Sequence, residues 1–499
     1  MMFKSKIMFF LFLPFLMVSQ NKKLTINELK QDLTVFKEIR EQANSGLYKY
    51  RTKKQIDSIY LWAFNEIKQP KSLLDFYKII LKITDFEGST HNDTSLPDDF
   101  EKNYFSGNGF FLYPIKLFNN KIIVNFKNAA IPLGSEIHSI NGNKIDKIIH
   151  DFYKYYTTDG YNITGKSIGI TSSFAKYFVL EYGLQKSFLV EYSLPHESQL
   201  LSAIIDGVNN ETRKENFKKR YSLPIDSLQF SRAQKDKYSF KILNSNTALL
   251  SIHTFVIGRN AEDKEHLAYK KYLDSCFDIL SKNTAVKNLI VDVRDNGGGT
   301  DPNDILTFSY LSQNSYQENA SAYVTFQNIP FPNYYVYEET ESKKQKEERL
   351  DFESELKEEF PYLKDGKYFQ SPKFNTILQP DKNAFKGQVY LLISPRIASA
   401  GSLFASLVKG KTNAIIIGEE TMGGYFGHNG HTPVEYELPN SKIKTQFSIV
   451  NLEQDVSKKP NQIFGRGVIP DFEVPQTFED FMQNKDTQMD YTLKLIDKL

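Results

Sequence analysis

The chain has 499 residues, with 62 Lys and Arg against 60 Asp and Glu, a formal net charge of +2. So even a balance gives no bulk electrostatic attraction for nucleic acid, and 14% aromatic residues mark an ordered, globular composition. This length suits two or three domains, and Cys276, the single cysteine, excludes an intrachain disulfide.

Residues 1–20 read as a targeting segment. Lys4 and Lys6 supply a basic start, IMFFLFLPFLMV an apolar core, and Ser19 and Gln20 a cleavage edge. The apolar run is about 12 residues, short of the ~20 a spanning helix needs. The expectation is an exported protein, periplasmic or extracellular, with no stable membrane span after cleavage; an uncleaved anchor is the alternative. Residues 21–100 form an N-terminal helical region, because INELKQDLTVFKEIREQ and DSIYLWAFNEI place apolar residues three and four apart. It ends in a polar loop that holds His91. Residues 101–165 alternate like short strands, in GFFLYPIKLF, KIIVNF and SEIHSINGNKI. Residues 166–499 form the largest unit. From Tyr238 its strand-like runs (TALLSI, NLIVDV, VYLLIS, AIIIGE) alternate with helix-like ones, the signature of an α/β layer architecture. In one helix-like run, YKKYLDSCFDIL, Cys276 reads as a small buried residue. A charged insertion at 335–365 reads as a solvated surface helix, or as a lid over the active cleft.

Two turns carry the chemistry. RIASAGS places Ser399 between the apolar run VYLLIS and the helix-like run LFASLVKG. Small neighbours (Ala398, Ala400, Gly401) permit a tight strand-to-helix turn, with the Ala400 N–H at the helix start, where backbone donors favour an anion. In VDVRDNGGGTD, Gly297 to Gly299 follow another apolar run and expose backbone N–H groups. A nucleophile beside an oxyanion hole is what acyl transfer needs. The glycine turn lacks the Lys-Ser/Thr ending of a phosphate-cradling loop. A serine also needs a base, and His91, preceded by Thr90, sits in a polar loop. His428 and His431 lie close together in GGYFGHNGH, but no nearby Cys, His or carboxylate completes a familiar ligand set. Neither a metal nor a cofactor is expected.

As a set, NLIVDVRDNGGG, IASAGSLFASLV, AIIIGEETMGG and GRGVIPDFEV resemble, in order and register, the C-terminal-processing and tricorn-type serine peptidases. GSEIHSINGNKI looks like the end of the PDZ-like module such proteases carry. The resemblance implies a crotonase/Clp-protease-like α/β catalytic domain, a PDZ-like module, and a peptide or protein as substrate. It implies Ser399 as nucleophile, with the N–H groups of Ala400 and Gly298 as the oxyanion hole. The processing branch uses a Ser–Lys dyad, but its lysine position is Gly424 here. The tricorn-like branch uses a histidine after a hydroxyl residue, which Thr90–His91 matches. Its supporting carboxylate falls, by register, on Phe464. Glu419, Glu420, Glu453 and Asp455 are substitutes among which the sequence does not choose, and a backbone carbonyl could orient the histidine instead.

Two other readings compete with an endopeptidase. One is a carrier for a peptide or an apolar ligand, similar to the retinoid-binding proteins of the eye. The other is a scaffold whose PDZ-like unit captures peptides by strand addition.

Overall fold

The structure, a computed structural model, describes residues 23–127, 130–221 and 237–498. The expected targeting segment lies outside the described residues. Helices Ile26–Ala43, Lys53–Glu66 and Leu73–Glu87 form the N-terminal region. Thr25 and Thr52 each close a capping box, and Ser72 caps the third helix. Gly88 ends that helix in the left-handed region, φ 74°, and the chain turns at once into the His91 loop. The next strand, Asp93–Ser95, pairs antiparallel with the far C-terminal strand Lys444–Gln454. This pairing carries an N-terminal loop to the C-terminal half.

The second unit is an antiparallel sheet in the order Ile115–Phe118, Lys121–Val124, Glu136–Ile140, Ser187–Ser193, Leu201–Asp206. Helices Ile145–Phe152 and Lys166–Tyr182 pack with it through a cluster that includes Phe111, Phe152, Phe174, Phe178 and Phe188. The short-strand module therefore runs past residue 165. Its last two strands are separated from the first three by a helix pair, but 187–193 hydrogen-bonds to Glu136–Ile140 and 201–206 pairs with 187–193.

The third unit is built on a six-stranded sheet in the order Tyr238–Ile242, Thr247–Ile252, Asn288–Asp292, Gln388–Ile393, Ile415–Gly418, Phe472–Glu473. All neighbours are parallel except the first pair. Burial on both faces explains the uninterrupted apolar runs. Helices Lys264–Lys282 and Ala400–Lys411 cover one face, and Thr487–Ile496 the other. Cys276 is buried in the first of these. A further antiparallel sheet, Tyr362–Lys364, Lys367–Phe369, Asn319–Val324, Lys444–Gln454, Asn429–Glu437, joins the insertion to the strand that receives Asp93–Ser95. The insertion forms helix Ser342–Glu359, largely exposed and anchored through Leu356 and Phe360. Among the described residues no helix is long and apolar enough to cross a membrane.

Candidate active site

Ser399 ends the turn between strand Gln388–Ile393 and helix Ala400–Lys411, at φ 50° and ψ −136°. That is an unfavourable conformation for a residue with a side chain, held here by packing on both sides. A Cβ on Gly401 would sit 2.4 Å from the Asn296 carbonyl oxygen, and one on Gly298 (φ 104°) would sit 2.7 Å from the Ser399 Cβ. The serine turn and the glycine turn thus touch only because both carry glycine. The Ala400 N–H, at the start of the helix, has no acceptor among the described residues. The Gly298 N–H donates to Asn296 Oδ1 at 2.9 Å, so it is engaged in the resting protein.

His91 reaches this turn from the N-terminal region. Its Nε2 lies 3.1 Å from Ser399 Oγ, across 308 positions of sequence. Its Nδ1 lies 3.3 Å from Thr90 Oγ1. The His428 ring packs against it, with ring centres 5.0 Å apart. Burial, followed by the positive charge of His431, lowers the His91 pKa to about 4, against the opposing pull of a hydrogen bond to the Asn429 backbone. Burial also holds His428 well below the usual histidine range. His91 is therefore a neutral imidazole at neutral pH.

The residue behind Thr90 is Asp159, which the sequence reading did not single out. Its Oδ1 accepts the Thr90 N–H at 2.8 Å and the Thr90 hydroxyl at 3.2 Å. Its Oδ2 accepts the Gly424 N–H at 2.8 Å. Asp159 is fully buried, and burial raises its pKa to about 6 against the opposing Thr90 and Gly424 amides, the Thr90 hydroxyl and the Lys49 charge. Because the Thr90 hydroxyl donates to the carboxylate, its lone pairs face His91. The imidazole proton then sits on Nδ1, and Nε2 presents its lone pair to Ser399.

The carboxylates named from the sequence lie elsewhere. Glu420 pairs with Arg466 and accepts the Gly467 N–H at 2.8 Å. Asp455 pairs with Lys411 at 2.6 Å. Glu453 lines a cavity with Lys49, Tyr323 and Phe464. Glu419 lines another, whose wall includes Arg294 and Arg396 but neither Ser399 nor His91. Phe464, where register puts the acid, is an exposed ring against Tyr50. The only sequence signal for Asp159 is the polar turn TTDGYN, where Gly160 takes φ 62°.

Residues 246–474 match the model of peptidase family S41. The match spans the parallel sheet from Thr247 to Glu473 and the turns that carry Ser399 and Gly298. Among solved structures, mature CPAF complexed with lactacystin superposes with a TM-score of 0.61 at 11% identity, covering 94% of this chain and 97% of that one. Mature CPAF gives 0.61 at 12% identity, with coverage of 94% and 96%. At such identities the likeness is one of fold, and it extends beyond residues 246–474 to nearly the whole chain. The tricorn protease superposes more loosely, with a TM-score of 0.37 at 16% identity, covering 94% of this chain and 36% of that one. No curated protein matches the chain.

Proposed function

We propose that the protein is an exported serine-type endopeptidase in which Ser399 is the nucleophile and His91 the general base. The observation that carries this reading is the 3.1 Å contact between His91 Nε2 and Ser399 Oγ in a strained strand-to-helix turn. His91 takes the Ser399 proton as Oγ attacks the scissile carbonyl. The Ala400 N–H receives the oxyanion, joined by the Gly298 N–H as it swings from Asn296 Oδ1. His91 then protonates the leaving amine, giving an acyl-enzyme, and water activated by the same imidazole releases the acid and restores Ser399. Thr90 and Asp159 are positioning residues in this scheme. They fix the tautomer without touching substrate.

The sheet of residues 115–206 acts as a PDZ-like module that takes an extended peptide or chain terminus as an added strand. Residues 1–20 direct export. The test is labelling by a fluorophosphonate probe together with hydrolysis of a fluorogenic peptide library. Parent protein is expected to label at Ser399 and to cleave. Ser399→Ala is expected to do neither, and His91→Ala to lose at least ~10³-fold in kcat. Equal hydrolysis by parent and both variants sinks the proposal. An unlabelled parent that binds a peptide or lipid tightly makes the protein a carrier.

A further inference from the structure

Just beyond the glycine turn the chain builds a second polar cluster. Asp301 follows that turn directly, Asp304 opens helix Asn303–Ser309, and Glu318 precedes strand Asn319–Val324. One oxygen from each of these carboxylates lies within 4.8 Å of the others. All three offer carboxylate oxygens, the hard donors that calcium takes at about 2.3–2.6 Å. Three carboxylates so close repel one another unless something positive lies among them.

Asp304 makes the case independent of mere clustering. It is fully buried, and neither of its oxygens has a hydrogen-bond partner. Glu318 Oε1 is likewise buried and unpartnered. Leaving such atoms without a partner is costly. Asp301 is at the exposed edge, 47% accessible, which gives an ion and its waters a way in. Its other side is steadied by His431, whose Nδ1 lies 3.2 Å from Asp301 Oδ2, as an outer partner often steadies a ligating carboxylate.

We infer that Asp301, Asp304 and Glu318 form a binding site for a hard divalent cation of the calcium class. No sequence motif announces it, because its ligands come from a turn, a helix start and a strand start. Waters complete the coordination, as all-oxygen calcium sites allow. The location gives the site a purpose. One ligand adjoins the glycine turn that touches Ser399. His431 lies on the segment whose Asn429 backbone bonds His91. A cation there would hold the two halves of the candidate active site in register, from outside the reacting atoms.

The test uses the full chain after treatment with a chelator. Titration calorimetry with calcium chloride is expected to give one site with a Kd below about 1 mM, within the range of calcium modules. Calcium is expected to slow hydrogen exchange in residues 297–304 and 428–432. Asp304→Asn and Glu318→Gln should each weaken binding at least tenfold. Two variants are used so that misfolding of one leaves the other decisive. The inference is overturned if the chelated parent takes up no calcium at 10 mM, or if both folded variants bind as the parent does. Binding is read on the Ser399→Ala protein too, so loss of the cation site and loss of peptidase activity remain separate results.

Discussion

Asp159→Asn tests the most specific part of the reading, because it changes one atom in a residue far from any substrate. In the parent, Oδ1 accepts two donors from Thr90 and Oδ2 accepts the Gly424 N–H. An asparagine has one oxygen to offer. If that oxygen stays toward Thr90, its amino group faces the Gly424 N–H, donor against donor. If the side chain flips, the Thr90 hydroxyl must accept, and it turns its proton toward His91 Nδ1. The imidazole then carries its proton on Nε2, facing Ser399, and cannot act as a base. Losing one charge-assisted hydrogen bond costs about 1.5–3 kcal/mol, which is ~10- to 10²-fold in rate. The full wrong-tautomer penalty is ~10⁴-fold, but the Asn429 backbone remains as a second partner for His91, so the lower range is expected. The assay is kcat and KM on a fluorogenic peptide, with thermal melting as the folding control. KM should hold while kcat falls. Thr90→Val should fall by a similar factor, and the double variant by little more than either alone, since both break one chain of bonds. A folded Asp159→Asn protein with kcat within twofold of the parent would refute the reasoning.

Other expectations follow from the same geometry. Because burial holds His91 near pKa 4 rather than 6.5 and Asp159 near 6, kcat/KM should fall partially as pH drops through 6 and be lost near pH 4, and Asp159→Asn should lack the first step; a full limb centred at 6.5 in the Asp159→Asn pH–rate profile argues against this buried base. Gly298→Ala adds a Cβ 2.7 Å from the Ser399 Cβ at φ 104°, so probe labelling of Ser399 should drop at least ~10²-fold with the fold intact by circular dichroism. Arg40 is buried, 3.0 Å from Glu87, and lies over the Phe447 ring at 4.3 Å; Arg40→Leu leaves Glu87 buried and unpaired and should cost about 3–5 kcal/mol in urea unfolding, while Arg40→Leu with Glu87→Leu should recover most of it.

The elements were legible where local pattern decides them. Alternation and apolar runs mark the strands of the α/β unit, and three- and four-residue apolar spacing marks the helices Ile26–Ala43 and Lys53–Glu66. Ser399 and Ala400 were legible because a tight turn needs small residues and a helix start offers a free N–H. Non-local pairing was not legible. Nothing in THNDTS announces that Asp93–Ser95 will lie against Lys444–Gln446, yet this register brings His91 within reach of Ser399. The module boundary at 165 failed for the same reason, since strands 187–193 and 201–206 return to a sheet begun at residue 115. Register puts the acid at Phe464, whereas Asp159 bonds a threonine hydroxyl and two backbone amides, which leave no side-chain motif to find.

Gly424 accounts for a histidine, rather than a lysine, as the base in the proposed mechanism. The glycine stands where the processing proteases carry lysine, and its lack of a side chain is itself functional. A Cβ there would meet the Gly427 carbonyl oxygen at 2.8 Å and the Tyr50 hydroxyl at 3.0 Å. The same residue gives its N–H to Asp159. A lysine could therefore enter only by displacing the backbone that holds the carboxylate behind Thr90 and His91. In the proposed mechanism a dyad lysine and the Asp159–Thr90–His91 chain would compete for one place, which the backbone at 424 occupies. Restoring the lysine should consequently weaken the site rather than give it a second base.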